Sequence, residues 1–505
     1  MHAAILRFPV LVLIAALLAA PLMITGESLW TDEACTALFA LQPDLDSWWS
    51  YLVRNTASDC QMPLSMFLAW VTGQVIGSGE WQLRVINALW AAISLGGMWR
   101  AGILLRLPLL PVALAIQPYF WSYTNEARPY ALQLACGAWL LVAVLELLSE
   151  QGARRQWAVT FAVASVVLCY ATLLAPIALV ACLVGVAVRF GQSLKAVGYK
   201  DLLPLAAGGA AVLPAAFYYA DTLARGARGS ALWAVDFKAS AFVIYEMVGL
   251  AGLGPPVDDL RGMAKSLSIT AMVAAHPWPF VLASLAALGL GVIVFIGWRG
   301  ISAGSERHVL LALGLPVVVG MVLFFGVSYA LKKPFWARHL APLFPFFVAF
   351  VAVAARSALR GTNRKVSLVI GLLVSGLLAA SSLNLRFNPG YRNEDYRTAA
   401  FQARSALDRG ERVWWYGSLL CAEYYGLPLT RGVEEPRAAR HPELADAEAM
   451  ANRSDERTPP DMVLVNHRHD ADGGGDFDRK MTESGYRSEH GIHGFTVWKK
   501  ERHHD

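Results

Sequence analysis

Charged residues are scarce in this sequence. They make up 16% of its 505 residues, whereas hydrophobic residues make up 56%. Soluble proteins of this length carry more charge. Apolar stretches close to the thickness of a bilayer recur along the chain as far as Leu385. The sequence therefore predicts a polytopic α-helical membrane protein.

Acidic residues are almost absent from the cores of these apolar stretches, and Glu146 lies near one end of its stretch. Pumps and ion-coupled carriers usually keep ionisable groups at mid-membrane depth. We find no internal repeat of the kind that many transporters carry. This distribution favours binding or chemistry at a membrane interface over a transmembrane conduit.

Several common motifs are missing as well. The six cysteines form no CxxC pair, which argues against a zinc knuckle or a thioredoxin-like site. Neither a GxGxxG fingerprint nor a P-loop stands at a strand-to-helix turn, so no nucleotide site is predicted. The segment 470–478 begins like a calcium loop, but Gly474 and Met481 stand where that loop needs oxygen ligands. Cys35 and Cys60 share one predicted external loop, and either a disulfide or two buried thiols fit them.

Eleven membrane spans are predicted, together with a short, half-inserted apolar helix at 62–77. The spans lie near 3–25, 82–99, 107–123, 130–149, 157–172, 174–190, 202–220, 280–297, 309–328, 339–355 and 366–385. We interpret the first as an uncleaved helix rather than a signal peptide, because of its length and the many later spans.

The short loops predict the orientation of these spans. Basic residues collect on one side, which the positive-inside rule makes cytoplasmic; they are Arg100, Arg106, Arg154, Arg155, Arg189, Lys195, Lys200, Arg299, Arg307, Arg356, Arg360, Arg364 and Lys365. The N-terminus is then cytoplasmic. The loops at 26–61 and 221–279, the TNEARPY turn, the LKKPFWARH segment and everything after Leu385 are then external.

The tail differs from the rest in composition. We predict a membrane-embedded catalytic domain at 1–385 and an extracytoplasmic α/β domain at 386–505, which is a normal size for a domain. Hydrophobic periodicity in the tail predicts helices at 393–408 and 477–486 and strands at 412–417, 461–466 and 493–500.

The first external loop carries two adjacent acids, Asp32 and Glu33. Neighbours on a helix point about 100° apart, so these acids cannot act as one symmetric pair. One acid can face a reacting hydroxyl while the other orients a cation or the backbone. Alternatively, both only stabilise the first turn of a helix that Thr31 caps. Further along, DLDSWWSYLVR predicts an amphipathic surface helix, which either docks a lipid-linked substrate or merely anchors the loop.

Further polar residues gather in the other predicted external segments. Asp59 stands at the head of the short apolar helix, and Glu126 and Arg128 lie in the NEARPY turn. Lysine and arginine in short external loops oppose the positive-inside bias, and an anionic lipid head would explain them. Snorkelling to headgroups is the alternative explanation. The LKKPFWARH segment adds Lys332, Lys333, Arg338 and His339, of which His339 is also typical of a satisfied interfacial histidine.

The segments WTDEA, QMPLSMFLAW, NEARPYAL, ARHLAPLFP and NEDYRTAA stand in one order and on one predicted membrane face. In this arrangement the sequence resembles the membrane-embedded GT-C glycosyltransferases. It is most similar to the bacterial relatives of the protein O-mannosyltransferases, including aminoarabinose and galacturonic acid transferases that act on lipopolysaccharide. It departs from the pattern at Gln61, where many relatives carry histidine.

The resemblance implies an enzyme that uses a polyprenyl-phosphate sugar and inverts the anomeric carbon in a single displacement. Asp32 is then the general base, and Glu33 orients a cation. The implied substrate-binding residues are Asp59, Glu126, Arg128, Lys332, Lys333, Arg338 and His339. The acceptor is lipopolysaccharide, another glycan or a protein. The enzyme itself contacts membrane lipids and lies in the bacterial inner membrane. We expect no nucleic-acid partner and assign no cofactor; a divalent metal stays an open alternative.

Three other functions compete with this interpretation. One is a transporter or flippase for a lipid-linked glycan, and another is a non-enzymatic assembly subunit whose tail binds cell-wall polymers. The third is a polysaccharide polymerase or ligase. Such enzymes use Arg and His in a large external loop, and 221–279 offers Arg225, Arg228, Arg261, Lys265 and His276.

Overall fold

A computed structural model describes residues 2–55, 57–148, 154–193, 199–226, 237–256, 269–301, 305–332, 335–361, 363–430, 438–441, 459–466 and 475–501. The chain divides into two compact units. The first contains Met1–Thr25, Gln42–Pro255 and His276–Asn388, and the second contains Gly26–Leu41, Pro256–Ala275 and Pro389–Asp505. Part of the first predicted external loop thus belongs to the unit of the tail. The assignment of 1–385 as catalytic and 386–505 as extracytoplasmic stays a prediction.

The first unit is helical. Numbered along the whole chain, its described α-helices are α1 (His2–Ala19), α3 (Leu45–Arg54), α4 (Pro63–Ile76), α5 (Glu80–Leu105), α6 (Leu110–Ala115), α7 (Pro118–Asn125), α8 (Tyr130–Leu148), α9 (Arg154–Ala171), α10 (Ala175–Ser193), α11 (Tyr199–Ala224), α12 (Phe237–Met247), α14 (Pro277–Gly300), α15 (Ser305–Leu331), α16 (Phe344–Arg360) and α17 (Arg364–Phe387). Several of these helices begin at or next to a proline. Proline has no amide hydrogen, and the amides of the first helical turn have no hydrogen-bond partner within the helix, so nothing is lost there.

Within the described residues, seven helical stretches have the length and apolar composition needed to cross a bilayer. They are Glu80–Leu105, Tyr130–Leu147, Leu202–Ala224, Pro277–Gly300, Glu306–Leu331, Ala337–Arg360 and Arg364–Phe387. Four further apolar helices are shorter, namely Val10–Met23, Pro63–Ile76, Gln156–Ala171 and Ala175–Gly185. The polytopic helical class is therefore confirmed, whereas the predicted number of eleven spans is not.

The predicted span near 107–123 is wrong as a single helix. Helix α6 ends at Ala115, and α7 begins at Pro118. Proline cannot donate the hydrogen bond that a continuous helix requires, and it disfavours helical geometry in the residue before it. Gln117 is accordingly extended, with φ −80° and ψ 125°.

Small residues set how closely the elements of the first unit approach each other. A β-carbon on Gly137 of α8 would lie 2.1 Å from the carbonyl oxygen of Pro342. Pro342 belongs to a 3₁₀ helix, Ala337–Leu343, which contains most of the ARHLAPLFP motif. The glycine thus lets this motif pack directly on α8.

Gly137→Ala is expected to lower the stability of the protein by about 1–3 kcal/mol, because the backbone of Pro342 must move to admit the methyl group. Thermal unfolding of the detergent-purified protein measures the effect. Gly376→Ala in α17 is the matched control, since a β-carbon there meets nothing within 4 Å. If both variants unfold at the same temperature, the close contact does not matter for stability.

The second unit contains a sheet of six strands. These are β1 (Val413–Tyr416), β2 (Leu429–Thr430), β3 (Ala439–Arg440), β4 (Met462–Asn466), β5 (Tyr486–Ile492) and β6 (Phe495–Lys500), in the order β2-β3-β1-β4-β6-β5. The first four strands of this order pair in parallel, β6 pairs antiparallel with β4, and β5 pairs antiparallel with β6. The unit's described α-helices are α2 (Thr31–Ala40), α13 (Ile269–Ala275), α18 (Tyr396–Asp408), α19 (Leu419–Tyr424) and α20 (Gly475–Glu483).

The sequence predictions for the tail are confirmed for α18, β1, β4, α20 and β6, each within a few residues. Strand β5 was missed because its interior is polar and mostly exposed, with only Tyr486 and Ile492 buried at its ends. Buried apolar residues lie on both faces of the sheet. Trp415 and Phe495 belong to one cluster, and Trp414 and Trp498 belong to the other.

Candidate active site

A buried ion pair lies in the first unit. Arg128 donates from Nη1 to Oδ1 of Asp59, and the two side chains are only 2% and 5% exposed. The second guanidinium nitrogen, Nη2, lies 3.9 Å from the sulfur of Met62. Two residues from separate sequence motifs thus meet, and both were predicted to bind substrate. A buried ion pair is costly to form, so its presence in a membrane protein calls for a functional reason.

Asp59 is positioned by a short 3₁₀ helix, Ser58–Gln61, just before α4. The Tyr218 hydroxyl of α11 donates to the carbonyl of Cys60 at 2.7 Å. The amide of Leu173 donates to the carbonyl of Gln61 at 3.0 Å. Helix α11 and the turn between α9 and α10 therefore hold this segment through its backbone, and Gln61 contributes its carbonyl oxygen to these contacts.

Arg128 is positioned by the NEARPY turn, which α5 supports. The carbonyl of Glu126 accepts from the Arg128 amide at 2.7 Å and also from the side chain of Asn87. The side chain of Asn125 accepts from the Thr25 amide at 2.8 Å. These contacts fix the backbone on both sides of Glu126.

Arg84 completes this support, and sequence reasoning gave it no role. Its guanidinium donates to the carbonyl of Thr25 at 3.2 Å, and the side chain is fully buried. An arginine in the first turns of an otherwise apolar helix was the signal that could have identified it. Its partner Thr25 lies 59 residues away in the sequence, so the contact could not be read from the pattern.

The LKKPFWARH segment is held by aromatic residues. The Tyr119 hydroxyl donates to the carbonyl of Ala337 at 2.7 Å. The guanidinium of Arg338 lies 5.8 Å from the ring centre of Tyr130, which ends the NEARPY motif. The Arg338 side chain therefore makes a cation–π contact with a residue two positions after Arg128.

His339 and Lys332 lie in different surroundings. The Nδ1 atom of His339 accepts from the Trp336 amide at 3.2 Å, and its ring lies 5.7 Å from that of Phe335. This capping contact matches the interpretation of His339 as a satisfied histidine. Lys332 is exposed and has a left-handed backbone with φ 51°. Lys333 lies outside the described residues.

Asp32 and Glu33 belong to the second unit, at the start of α2. Glu33 is fully buried, and its carboxylate accepts from the Trp30 amide at 3.5 Å. Asp32 is only half-buried. The prediction that Thr31 caps the helix is wrong. Trp30 is the N-cap residue, and the acid three positions later binds its amide, as in one half of a capping box.

The surface helix predicted from DLDSWWSYLVR is α3. Asp44 caps it by accepting from the Ser47 amide at 2.7 Å. Trp48 is buried, whereas Trp49 is 50% exposed, so aromatic surface remains on the outside of the helix. Its end is held by Arg225, which donates to the Val53 carbonyl.

The structure also bears on the two alternatives that the sequence left open for Cys35 and Cys60. Cys35 and Cys60 are both free, buried thiols, so the disulfide alternative is not supported. Burial raises the pKa of the Cys60 thiol to about 11, and the charge of Asp59 adds to this.

In the part of the chain that the structure describes, no three His, Cys, Asp or Glu side chains cluster closely enough for a metal ion. The residues 467–474, and with them most of the calcium-like segment, lie outside that part, as do Arg228, Arg261 and Lys265.

No protein-family model matches the chain, and no curated protein sequence does so. Among solved structures, the fold is similar to that of ArnT from Cupriavidus metallidurans, which was crystallised bound to undecaprenyl phosphate. The TM-score is 0.50 and the identity 14%, over 97% of this chain and 97% of that chain.

The arabinofuranosyltransferase AftD from mycobacteria also aligns, with a TM-score of 0.42 and 13% identity over 98% of this chain and 40% of that chain. That score is too low to support an inference. The similarity to ArnT shows a shared fold. At the level of the fold, the resemblance of this chain to the GT-C membrane glycosyltransferases is thus confirmed.

Proposed function

We propose that the chain is a glycosyltransferase that moves a sugar from a polyprenyl-phosphate donor to an extracytoplasmic acceptor. The observation that carries this proposal is the buried Asp59–Arg128 pair in a protein with the fold of ArnT. A fold alone does not define an activity. A buried guanidinium, however, supplies the fixed positive charge that a departing lipid phosphate requires. The undecaprenyl phosphate bound to ArnT is a ligand of that chemical class.

The choice of a lipid-linked donor follows from the side of the membrane on which activated sugars are made. Nucleotide sugars are made in the cytoplasm, and the sequence carries no nucleotide-binding fingerprint. An external site therefore needs a sugar that has already crossed the bilayer on a lipid. In the reaction, an acceptor hydroxyl oxygen attacks the anomeric carbon while the bond from that carbon to the phosphate oxygen breaks. The hydroxyl proton passes to Asp32, the electron pair leaves with polyprenyl phosphate, and the anomeric configuration inverts.

The remaining residues have supporting roles in this proposal. Glu33 accepts a hydrogen bond from the Trp30 amide at the start of α2, and we propose that it also orients a cation. Asp59 holds Arg128, and Glu126 shapes the turn that carries it. Further positive charge for the phosphate, and contacts to the sugar, come from Lys332, Lys333, Arg338 and His339.

We further propose that the protein lies in the bacterial inner membrane with a cytoplasmic N-terminus and a periplasmic tail. The acceptor is lipopolysaccharide, another surface glycan or a protein. Mass spectrometry of envelope glycolipids, glycans and proteins from a deletion strain tests this directly. One envelope component should lose one sugar, and the wild-type chain should restore it.

The competing functions predict different deletion phenotypes. Loss of a flippase leaves a complete lipid-linked glycan on the inner leaflet, and loss of a polymerase or ligase shortens or detaches a polysaccharide. An assembly subunit changes the amount of a polymer without changing its sugar composition. Any of these three results, without a missing single sugar, would refute the proposal.

A further inference from the structure

The segment 26–41, here called the α2 segment, is part of the tail's core. Ala34 is fully buried in the same apolar cluster as Trp415 and Phe495 of the sheet. Leu29 is also fully buried. The helix that carries Asp32 is therefore built into the tail's hydrophobic core, although more than 350 residues of sequence separate the two.

Hydrogen bonds fix the residues immediately before this helix. The Tyr425 hydroxyl accepts from the Leu29 amide at 2.8 Å and lies 3.1 Å from the Ser28 hydroxyl oxygen. The Ser28 hydroxyl in turn accepts from the Arg397 amide at 3.1 Å. Because Leu29 directly precedes the N-cap Trp30, Tyr425 holds the point from which α2 starts.

The side chains next to Asp32 also face the tail. Burial raises the pKa of the Cys421 thiol, and the negative charges of Glu394 and Glu33 raise it further, whereas a hydrogen bond with Thr31 opposes them. The thiol also lies 3.8 Å from the Leu29 carbonyl. Thr31 is thus tied to the tail by a hydrogen bond, and Glu33 is close enough for its charge to act on Cys421, while Asp32 between them stays half-buried.

We infer that the tail holds the proposed base in position, and that Tyr425 is a positioning residue for Asp32. This inference rests on the proposed function. Proton transfer from the acceptor requires the base within hydrogen-bond reach of the hydroxyl, and small displacements of a catalytic group are costly. A tail that fixes the helix start through Tyr425 and Ser28 meets that requirement.

Tyr425→Phe tests the inference, because it removes one hydroxyl and keeps the ring. We expect kcat to fall about tenfold or more, while KM for the donor stays unchanged, since a shifted base affects only the chemical step. Hydrogen exchange of the α2 segment's amides should become faster in the same variant. A purely structural defect would instead raise exchange throughout the tail.

The matched control is Tyr486→Phe. This tyrosine is buried in the edge strand β5, and its hydroxyl donates to the Pro460 carbonyl at 2.6 Å. Its loss should leave kcat and the exchange of the α2 segment unchanged. The hydroxyls of Ser28 and Tyr425 lie within hydrogen-bond distance of each other. The loss of kcat in the double variant Ser28→Ala/Tyr425→Phe should therefore be smaller than the sum of the losses in the two single variants.

The outcomes separate this inference from the proposed function. If Tyr425→Phe matches Tyr486→Phe in both kcat and exchange, Tyr425 does not position the base, and the inference fails. If faster exchange of the α2 segment leaves kcat unchanged, the tail holds the segment but not for catalysis, which also overturns it. If the wild-type chain transfers no sugar at all, the proposed function fails and takes the positioning role with it, although exchange still reports the structural attachment.

Discussion

Asp32→Asn is expected to lower the rate of sugar transfer by at least about 10²-fold, the usual contribution of a general base. Donor binding should be unchanged, because asparagine keeps the shape of the side chain and loses only the ability to accept a proton. The comparison requires single-turnover transfer rates and donor binding on the same purified protein. Loss of turnover with intact binding would place the defect in the chemical step.

Asp46→Asn is the matched control for this change. Asp46 also lies in the first turn of a helix, in α3, and is exposed. If acids in these positions only stabilise a helix N-terminus, both variants should lose a similar, small amount of stability and no activity. Equal transfer rates for wild type and Asp32→Asn would remove Asp32 from the mechanism.

Arg128→Met is expected to have the second large effect. It leaves the Asp59 carboxylate, only 5% exposed, without the guanidinium that pairs with it. Removing one partner of a buried pair costs about 3–5 kcal/mol, because an uncompensated charge stays out of water. The thermal unfolding temperature in detergent should fall sharply, and transfer activity should be lost.

The double variant Asp59→Leu/Arg128→Met separates stability from function. Replacing both members of a buried ion pair with apolar side chains is often neutral or stabilising. The unfolding temperature should therefore return towards the wild-type value, while transfer activity remains absent because the positive charge is gone. Restored activity in this stable variant would show that the pair is only structural.

Local patterns in the sequence predicted those elements whose signal is local. Helix α18 and strands β1 and β4 follow the spacing of their apolar residues, and α3 follows its amphipathic pattern. The span near 107–123 was mispredicted because hydropathy averages over Pro118, which divides it. Strands β2 and β3 have two residues each, which is too short for any periodicity.

The sequence identified individual residues of the candidate site but not the contacts between them. Asp59 and Arg128 were both singled out, yet nothing in the sequence pairs residues 69 positions apart. The attachment of Leu29 to Tyr425 spans 396 positions and was missed entirely. Such contacts depend on how the elements pack, which a single sequence without related sequences does not reveal.

The most direct test of the central claim is the stoichiometry of the reaction. The purified protein is reconstituted into liposomes with a polyprenyl-phosphate sugar labelled in both its lipid and its sugar, and an envelope fraction is added as acceptor. One free polyprenyl phosphate should appear for each sugar that reaches the acceptor, with the anomeric configuration inverted. Recovery of an intact lipid-linked donor that has only changed membrane leaflet, with no labelled acceptor, would contradict the account.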